Sequence, residues 1–299
     1  MAITGFLLLC STMSVSGQEK TLPEPPPMPK RPIAARAEIA GPIQEFEDGD
    51  RKFSLYIPAA AKPNSEISLT VHFHSAQWHA VQEHIDRGLD GPVIAFYPGE
   101  GSSIYAKSFE DTERFGRWMG LVLGELRGRG WPDNSRISEL NFTSFSAGYG
   151  AVRVLIQRPE VFQILRRVIL ADSMHGSLTP DVEGRVPLAE HVSVWKPLAE
   201  AAIAGTKTFV VTFSQVPTPT YASSSEMGSA LVRLVGGSMC PVEQGTLKAT
   251  EDPEFPLLAR FDKGNFHVWS YGGEDGQAHM THARHLADLW KALDKAKSP

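Results

Sequence analysis

The sequence predicts an α/β fold, a mostly parallel sheet covered by helices on both faces. Short runs rich in β-branched and aromatic residues alternate with longer stretches of helical periodicity between residues 53 and 295, the pattern of strand–helix–strand units. The composition agrees: of 299 residues 42% are hydrophobic and 21% charged, enough to bury a large core and unlike a disordered chain. Lys and Arg number 29 against 34 Asp and Glu, a net charge of -5, and without clustered cations a nucleic-acid groove is not expected.

The elements follow in order. Phe53–Ile57 reads as a strand ended by Pro58, Ile67–His74 as a second, and Val93–Tyr97 as a third stopped by Pro98-Gly99. Residues 112–128 carry Phe115, Trp118, Met119, Leu121, Val122 and Leu126 on one helical face. A strand near Leu140–Ser144 feeds a helix over Ala147–Ile156. Val168–Ala171 and Phe209–Phe213 are buried strands separated by a helix near 188–204. Asn265–Tyr271 is the last strand, and an amphipathic helix from His279 to Lys295 closes the chain.

The amino-terminal part has a different character. Phe6–Cys10 is an apolar run too short to span a bilayer, followed by small residues, so residues 1–17 read as a signal peptide and the protein as secreted or periplasmic. Proline at 23, 25, 26, 27, 29 and 32 makes residues 18–35 an extended linker, and residues 36–299 the folded domain. With two cysteines, of which cleavage would leave only Cys240, disulfides are not expected to hold the fold.

Chemistry concentrates in Phe142-Thr-Ser-Phe-Ser-Ala-Gly148, where a strand enters a helix through Ser-x-Ser-x-Gly. A turn that sharp needs small residues around a central nucleophile, here Ser144 and Gly148 around Ser146. It would lift the hydroxyl to the amino end of a helix, where developing negative charge is favoured. Beyond the last strand, Gly272–Gln277 places His279 in a loop from which it can serve the serine as base; His282 and His285 follow on the same helical face. The acid is open between two residues. Ser214-Gln-Val-Pro-Thr fills the position after the strand ending at Phe213 and offers no carboxylate, which leaves Asp172, after Ala171, or Glu226 further on. Backbone donors for an oxyanion would come from Ala147 and the loop of His74, Ser75, Ala76 and Trp78. Tyr105 and His175, with Trp78 and Met174, are candidate pocket walls, and residues 173–187 a short lid.

Two other readings are weaker. His72 and His74 share one face of a strand, with His79 and His84 nearby, but the adjacent Asp and His that a metallohydrolase pattern wants are absent, so no metal is expected. Pro98–Ser103 lacks the lysine and glycine spacing of a phosphate loop.

The elbow at Ser146, the segment Val71-His-Phe-His-Ser-Ala76, the late His279 and the order of strands together resemble the α/β-hydrolase superfamily over about residues 50–295. Serine stands at 75 and 144 where glycine is usual. The resemblance implies an eight-stranded, mostly parallel sheet, a serine nucleophile with a covalent acyl-enzyme, no cofactor, and a small-molecule or polymer ester as substrate. The alternative it leaves open is a catalytically silent domain of the same fold that binds a ligand in the cleft.

Overall fold

A computed structural model describes residues 43–242 and 252–295; the proposed signal peptide and linker lie outside them. Among the described residues the strands are β1 (Ile43–Asp48), β2 (Arg51–Tyr56), β3 (Glu66–Phe73), β4 (Val93–Phe96), β5 (Arg136–Phe145), β6 (Leu165–Ala171), β7 (Thr208–Phe213), β8 (Cys240–Pro241), β9 (Leu257–Lys263) and β10 (Phe266–Tyr271). They form one sheet of ten strands in the order β1-β2-β4-β3-β5-β6-β7-β10-β9-β8. From β4 to β10 every neighbouring pair is parallel, while β1, β2, β9 and β8 extend the two edges with antiparallel pairing.

The helices are α1 (Gln77–Asp86), α2 (Ser102–Ser108), α3 (Arg114–Gly128), α4 (Tyr149–Leu155), α5 (Pro159–Ile164), α6 (Ala189–Ser193), α7 (Lys196–Ile203), α8 (Ser224–Leu234), α9 (Gly276–Arg284) and α10 (Leu286–Lys295). Strand periodicity sorts the core into two layers. Val168, Leu170, Phe209, Val211 and Val268 point to one face, packing with Trp118 of α3, Val152 of α4, Leu198 of α7 and Leu231 of α8. Ile169, Ala171, Val210 and Trp269 point to the other, against Leu286, Leu289 and Trp290 of α10. Strands buried on both faces read as unbroken apolar runs, which is why β6 and β7 stand out in the sequence.

The sheet has ten strands rather than the expected eight. The strands without a sequence signal are at the edges: β1 is half exposed and rich in Glu and Asp, and β9 carries Arg260, Asp262 and Lys263. The helix expected over 188–204 breaks in two because Pro197, in the first turn of α7, starts a helix readily and does not continue one. The closing helix also divides, at His285, which is clamped between Asp252 (2.8 Å) and Asp288 (3.1 Å).

The packing between α4 and α2 is close enough to exclude a methyl group. A Cβ on Gly150 would lie 2.2 Å from the carbonyl oxygen of Ser102. Gly150→Ala is therefore expected to cost about 3 kcal/mol of stability by overpacking, read as a lowered urea midpoint with an unchanged slope.

Candidate active site

The site lies along the carboxyl ends of adjacent parallel strands, where open α/β sheets place their ligands. His74 follows β3, Ser146 follows β5, Asp172 follows β6 and Ser214 follows β7. Three of these four have left-handed backbone: φ is 62° at His74, 48° at Ser146 and 43° at Asp172. Such residues are strained by roughly 1–3 kcal/mol each and persist only where their surroundings hold them. Here the His74 amide donates to the Phe96 carbonyl (3.0 Å) and the Asp172 amide to that of Thr212 (2.9 Å).

Ser146 opens a short helical turn over Ser146–Gly148 that leads into α4. Gly148 is required because a Cβ there would meet the Phe73 carbonyl oxygen at 2.4 Å. Ser144, buried, is accommodated by giving its hydroxyl a partner, Ser173 Oγ at 2.5 Å. Ser173 in turn donates to the carbonyl oxygen of Ser146 at 2.7 Å. Since each hydroxyl has one proton, Ser144 is the donor to Ser173. The serine in a glycine position thus heads a hydrogen-bond chain that ends on the strained turn itself.

His279 sits in the first turn of α9 rather than in the preceding loop. The helix starts early because the Asp275 side chain caps the amides of Gln277 and Ala278. The His279 ring stacks on Phe145, with centroids 4.5 Å apart, and its Nδ1 lies 2.8 Å from Asp172 Oδ2. Ser214 donates to the same oxygen at 2.5 Å. Burial pushes the Asp172 carboxyl up. The hydrogen bond from His279, the charges of His282 and His279 and the Ser214 hydroxyl outweigh that and hold it well below the usual carboxylate range. An ionised Asp172 keeps the proton of His279 on Nδ1 and leaves Nε2 as the basic nitrogen.

Glu226 has a different place. Its carboxylate closes the capping box of α8 with Ser223 and binds Arg185. Of the two carboxylates open in the sequence, the one at the imidazole is Asp172, because β6 ends beside β7 with Ser214 as the bridging hydroxyl.

Ser146, His279, His74, Ser75, Ala76, Trp78 and Phe145 all line one cleft of about 820 Å³ between α1 and the α9–α10 pair, a size suited to a small organic ligand. Ala147, in the turn, packs against the core edge, and its position at the start of a helical turn leaves its amide without an intrahelical acceptor. Tyr105 is not a wall. It is completely buried behind His74, with its hydroxyl 2.7 Å from His74 Nδ1 and 3.1 Å from the Gly99 carbonyl. His175 also falls outside the cleft lining and packs between Tyr149 and Tyr221, and Met174 is buried. The segment 173–187 is tied down by bridges Gly176–Ala222 and Leu178–Pro187.

Sequence reasoning did not single out Phe145, nor Glu100 and Met280, which also line the cleft, and it passed over Ser214 as a position without a carboxylate. Phe145 is the variable position within the Ser-x-Ser motif, and nothing in the spacing marks it as the platform for His279. The histidines weighed as metal ligands have separate partners: His72 contacts Glu83 at 2.7 Å, His79 bonds Ser75 at 2.9 Å, and His84 bonds the Gly91 carbonyl at 2.7 Å. Among the described residues no helix is long and apolar enough to cross a membrane.

A central parallel sheet flanked by antiparallel edges, with the serine on a left-handed strand-to-helix turn after the middle strand and a histidine beyond the last parallel strand, is the α/β-hydrolase fold. No protein-family model matches the chain, and no curated protein matches it. Among solved structures, an uncharacterised protein from Capnocytophaga ochracea superposes with a TM-score of 0.49 at 12% identity over 86% of this chain and 64% of its own. The chain therefore spans less than two thirds of that protein's length. A thermostable esterase from Pseudomonas putida gives a TM-score of 0.43 at 12% identity over 88% of this chain and 83% of its own. An S-formylglutathione hydrolase from Agrobacterium tumefaciens gives 0.45 at 10% identity over 89% and 99%.

The same region sets a pH dependence of stability. His282 is fully buried, its Nδ1 at 2.8 Å from Thr212 Oγ1, and burial pushes its pKa down to about 4. An unfolded imidazole takes its proton near 6.5, so between pH 6.5 and 4 the unfolded chain binds the extra proton. The stabilisation from a neutral His282 is present above that window and is lost as pH falls through it, by about 3 kcal/mol. Equilibrium unfolding of the parent and of His282→Gln from pH 7 to pH 4 should show a shallower decline in the variant.

Proposed function

We propose that the protein is a serine hydrolase of carboxylic esters, with Ser146 as nucleophile, His279 as general base and acid, and Asp172 as the carboxylate that orients the imidazole. The observation that carries this reading is the 2.8 Å contact between His279 Nδ1 and Asp172 Oδ2, with His279 and the strained Ser146 facing one cleft. A paired, ionised Asp172 fixes the tautomer in which Nε2 accepts the proton of Ser146 as its Oγ attacks the carbonyl. The imidazolium formed is stabilised by the same carboxylate, and it returns the proton to the departing alkoxide. Water then repeats the sequence on the acyl-enzyme. The amides of Ala147, Ser75 and Ala76 are the donors proposed for the tetrahedral oxygen, that of His74 being taken by the Phe96 carbonyl.

An ester is proposed over an amide because its leaving group departs with less assistance, so a site of this kind meets the lower barrier. We also propose that residues 1–17 are a cleaved leader, which would make the place of action the periplasm or the exterior; amino-terminal sequencing of the mature protein would check this.

Labelling by a fluorophosphonate probe tests the reading. The parent should label, and Ser146→Ala and His279→Ala should not; a folded parent that stays unlabelled would sink the proposal in favour of a silent binding domain. Asp172→Asn should retain the fold but lower kcat for a p-nitrophenyl ester by roughly 10³–10⁴ through loss of the correct tautomer, while Glu226→Gln should leave labelling in place.

A further inference from the structure

Ser75 and His79 line the cleft beside Ser146 and His279, yet the chemistry proposed for the site makes no use of their side chains. Ser75, in the turn after β3, is buried, and its Oγ lies 2.9 Å from Nδ1 of His79 in the first turn of α1. On the other side of the ring, Nε2 is 3.2 Å from the carbonyl oxygen of Ala283. A backbone carbonyl only accepts, so Nε2 carries a proton in either charge state of the imidazole. Burial lowers the pKa of His79, with the charge of His72 acting in the same direction and Glu83, the Ala283 carbonyl and Asp86 opposing, and the ring is neutral near pH 7. Nδ1 is then the acceptor and the Ser75 hydroxyl the donor. The Ala76 carbonyl, at 3.3 Å from the same hydroxyl, lies beyond the usual O–H···O range.

The chain from Ser75 through His79 to Ala283 joins two parts of the site that have to keep their spacing during the reaction. At one end is the turn whose Ser75 and Ala76 amides are the donors proposed for the tetrahedral oxygen. At the other is α9, in which Ala283 follows His279 by four residues, one turn along the same face. The hydrogen bond between them spans 204 positions of the chain. The two segments leave the sheet from β3 and β10, which are separated by β5, β6 and β7. The sheet therefore sets their spacing only across three intervening strands, whereas the imidazole sets it directly. Ala283 is in the last turn of α9, whose carbonyls a helix leaves for groups outside its own ladder. Trp78 holds the His79 ring edge-on, with centroids 5.6 Å apart. A glycine at position 75 would have no hydroxyl with which to make this link.

We infer that His79 is a positioning residue that ties the turn carrying the oxyanion donors to the helix carrying the general base, so that the Ser75 and Ala76 amides and His279 meet one reacting carbonyl in a fixed geometry. The inference rests on the hydrolase reading of the same cleft. It places the effect in kcat rather than in substrate capture, because the oxyanion and the imidazolium develop only on the way to the transition state.

The test is the hydrolysis of p-nitrophenyl acetate by parent and variants whose folding is checked by thermal unfolding and whose active sites are counted with the fluorophosphonate. His79→Leu should lower kcat by up to about a hundredfold, the effect of a misplaced group near the reacting atoms, with KM little changed. Ser75→Ala, which removes one hydroxyl and leaves the backbone of the turn in place, should lower kcat by a similar factor. The double variant should be no slower than His79→Leu alone, since both changes break one chain. His79→Gln, whose amide offers a donor and an acceptor in place of the two ring nitrogens, should recover most of the loss. If His79→Leu does not fold, Ser75→Ala decides the matter. A folded Ser75→Ala or His79→Leu with the parental kcat, losses that multiply in the double variant, or a His79→Gln as slow as His79→Leu overturns the inference, and a parent that labels leaves the hydrolase reading standing. A parent that fails to label overturns both.

Discussion

Left-handed backbone at the ends of three neighbouring strands is the constraint around which this site is organised. His74, Ser146 and Asp172 each leave the sheet at a φ that L-residues avoid; His74 and Ser146 line the cleft, and Asp172 meets the imidazole of His279 behind it. The strain is sustained by the sheet itself. The strands that carry these residues are buried on both faces, and the amides of His74 and Asp172 are anchored to carbonyls on adjoining strands or loops. A rigid parallel sheet is therefore not only a scaffold; it supplies the free energy that holds three side chains in conformations a loop would abandon.

The imidazole is supported from several directions. Phe145 provides a flat surface, Asp172 takes the Nδ1 proton, and the start of α9 is set by the Asp275 cap. Ser214 occupies the end of β7 and turns its hydroxyl to the carboxylate one strand away. The carboxylate and its supporting hydroxyl have in effect been distributed over two strands, and the pairing of β6 with β7 keeps them in register. Behind this layer, His282 and His285 fill the protein side of α9 as neutral or acid-paired groups, so the helix that presents His279 is anchored by polar contacts in an otherwise apolar core.

Much of this was legible in the sequence. The parallel strands β3 to β7 and β10 announce themselves as short apolar runs because they are covered on both faces, and the Ser-x-Ser-x-Gly turn is visible from its small residues alone. Asp172 could be placed at a strand end, but the choice between it and Glu226 needed three dimensions, since pairing of the acid with the imidazole spans more than a hundred positions in the chain. The edge strands β1 and β9 were silent because one side of each is polar. Proximity in sequence places Tyr105 and His175 at the cleft, whereas helix packing puts the first behind His74 and the second beside Tyr221. Glu100 and Phe145 lacked any signal: a carboxylate in a glycine-rich loop and an aromatic inside a motif are ordinary until their neighbours are known.

The Ser144–Ser173–Ser146 chain has a bearing on how this sequence can vary. Glycine at 144 alone would strip Ser173 of its donor, and alanine at 173 alone would strand a buried hydroxyl on Ser144, a loss of about 1–3 kcal/mol for an unsatisfied group. The two positions are thus thermodynamically linked, each substitution being tolerable chiefly in the presence of the other. Serine at the first small position of the turn is thus one half of a hydroxyl pair, and a change at either position is felt at the other.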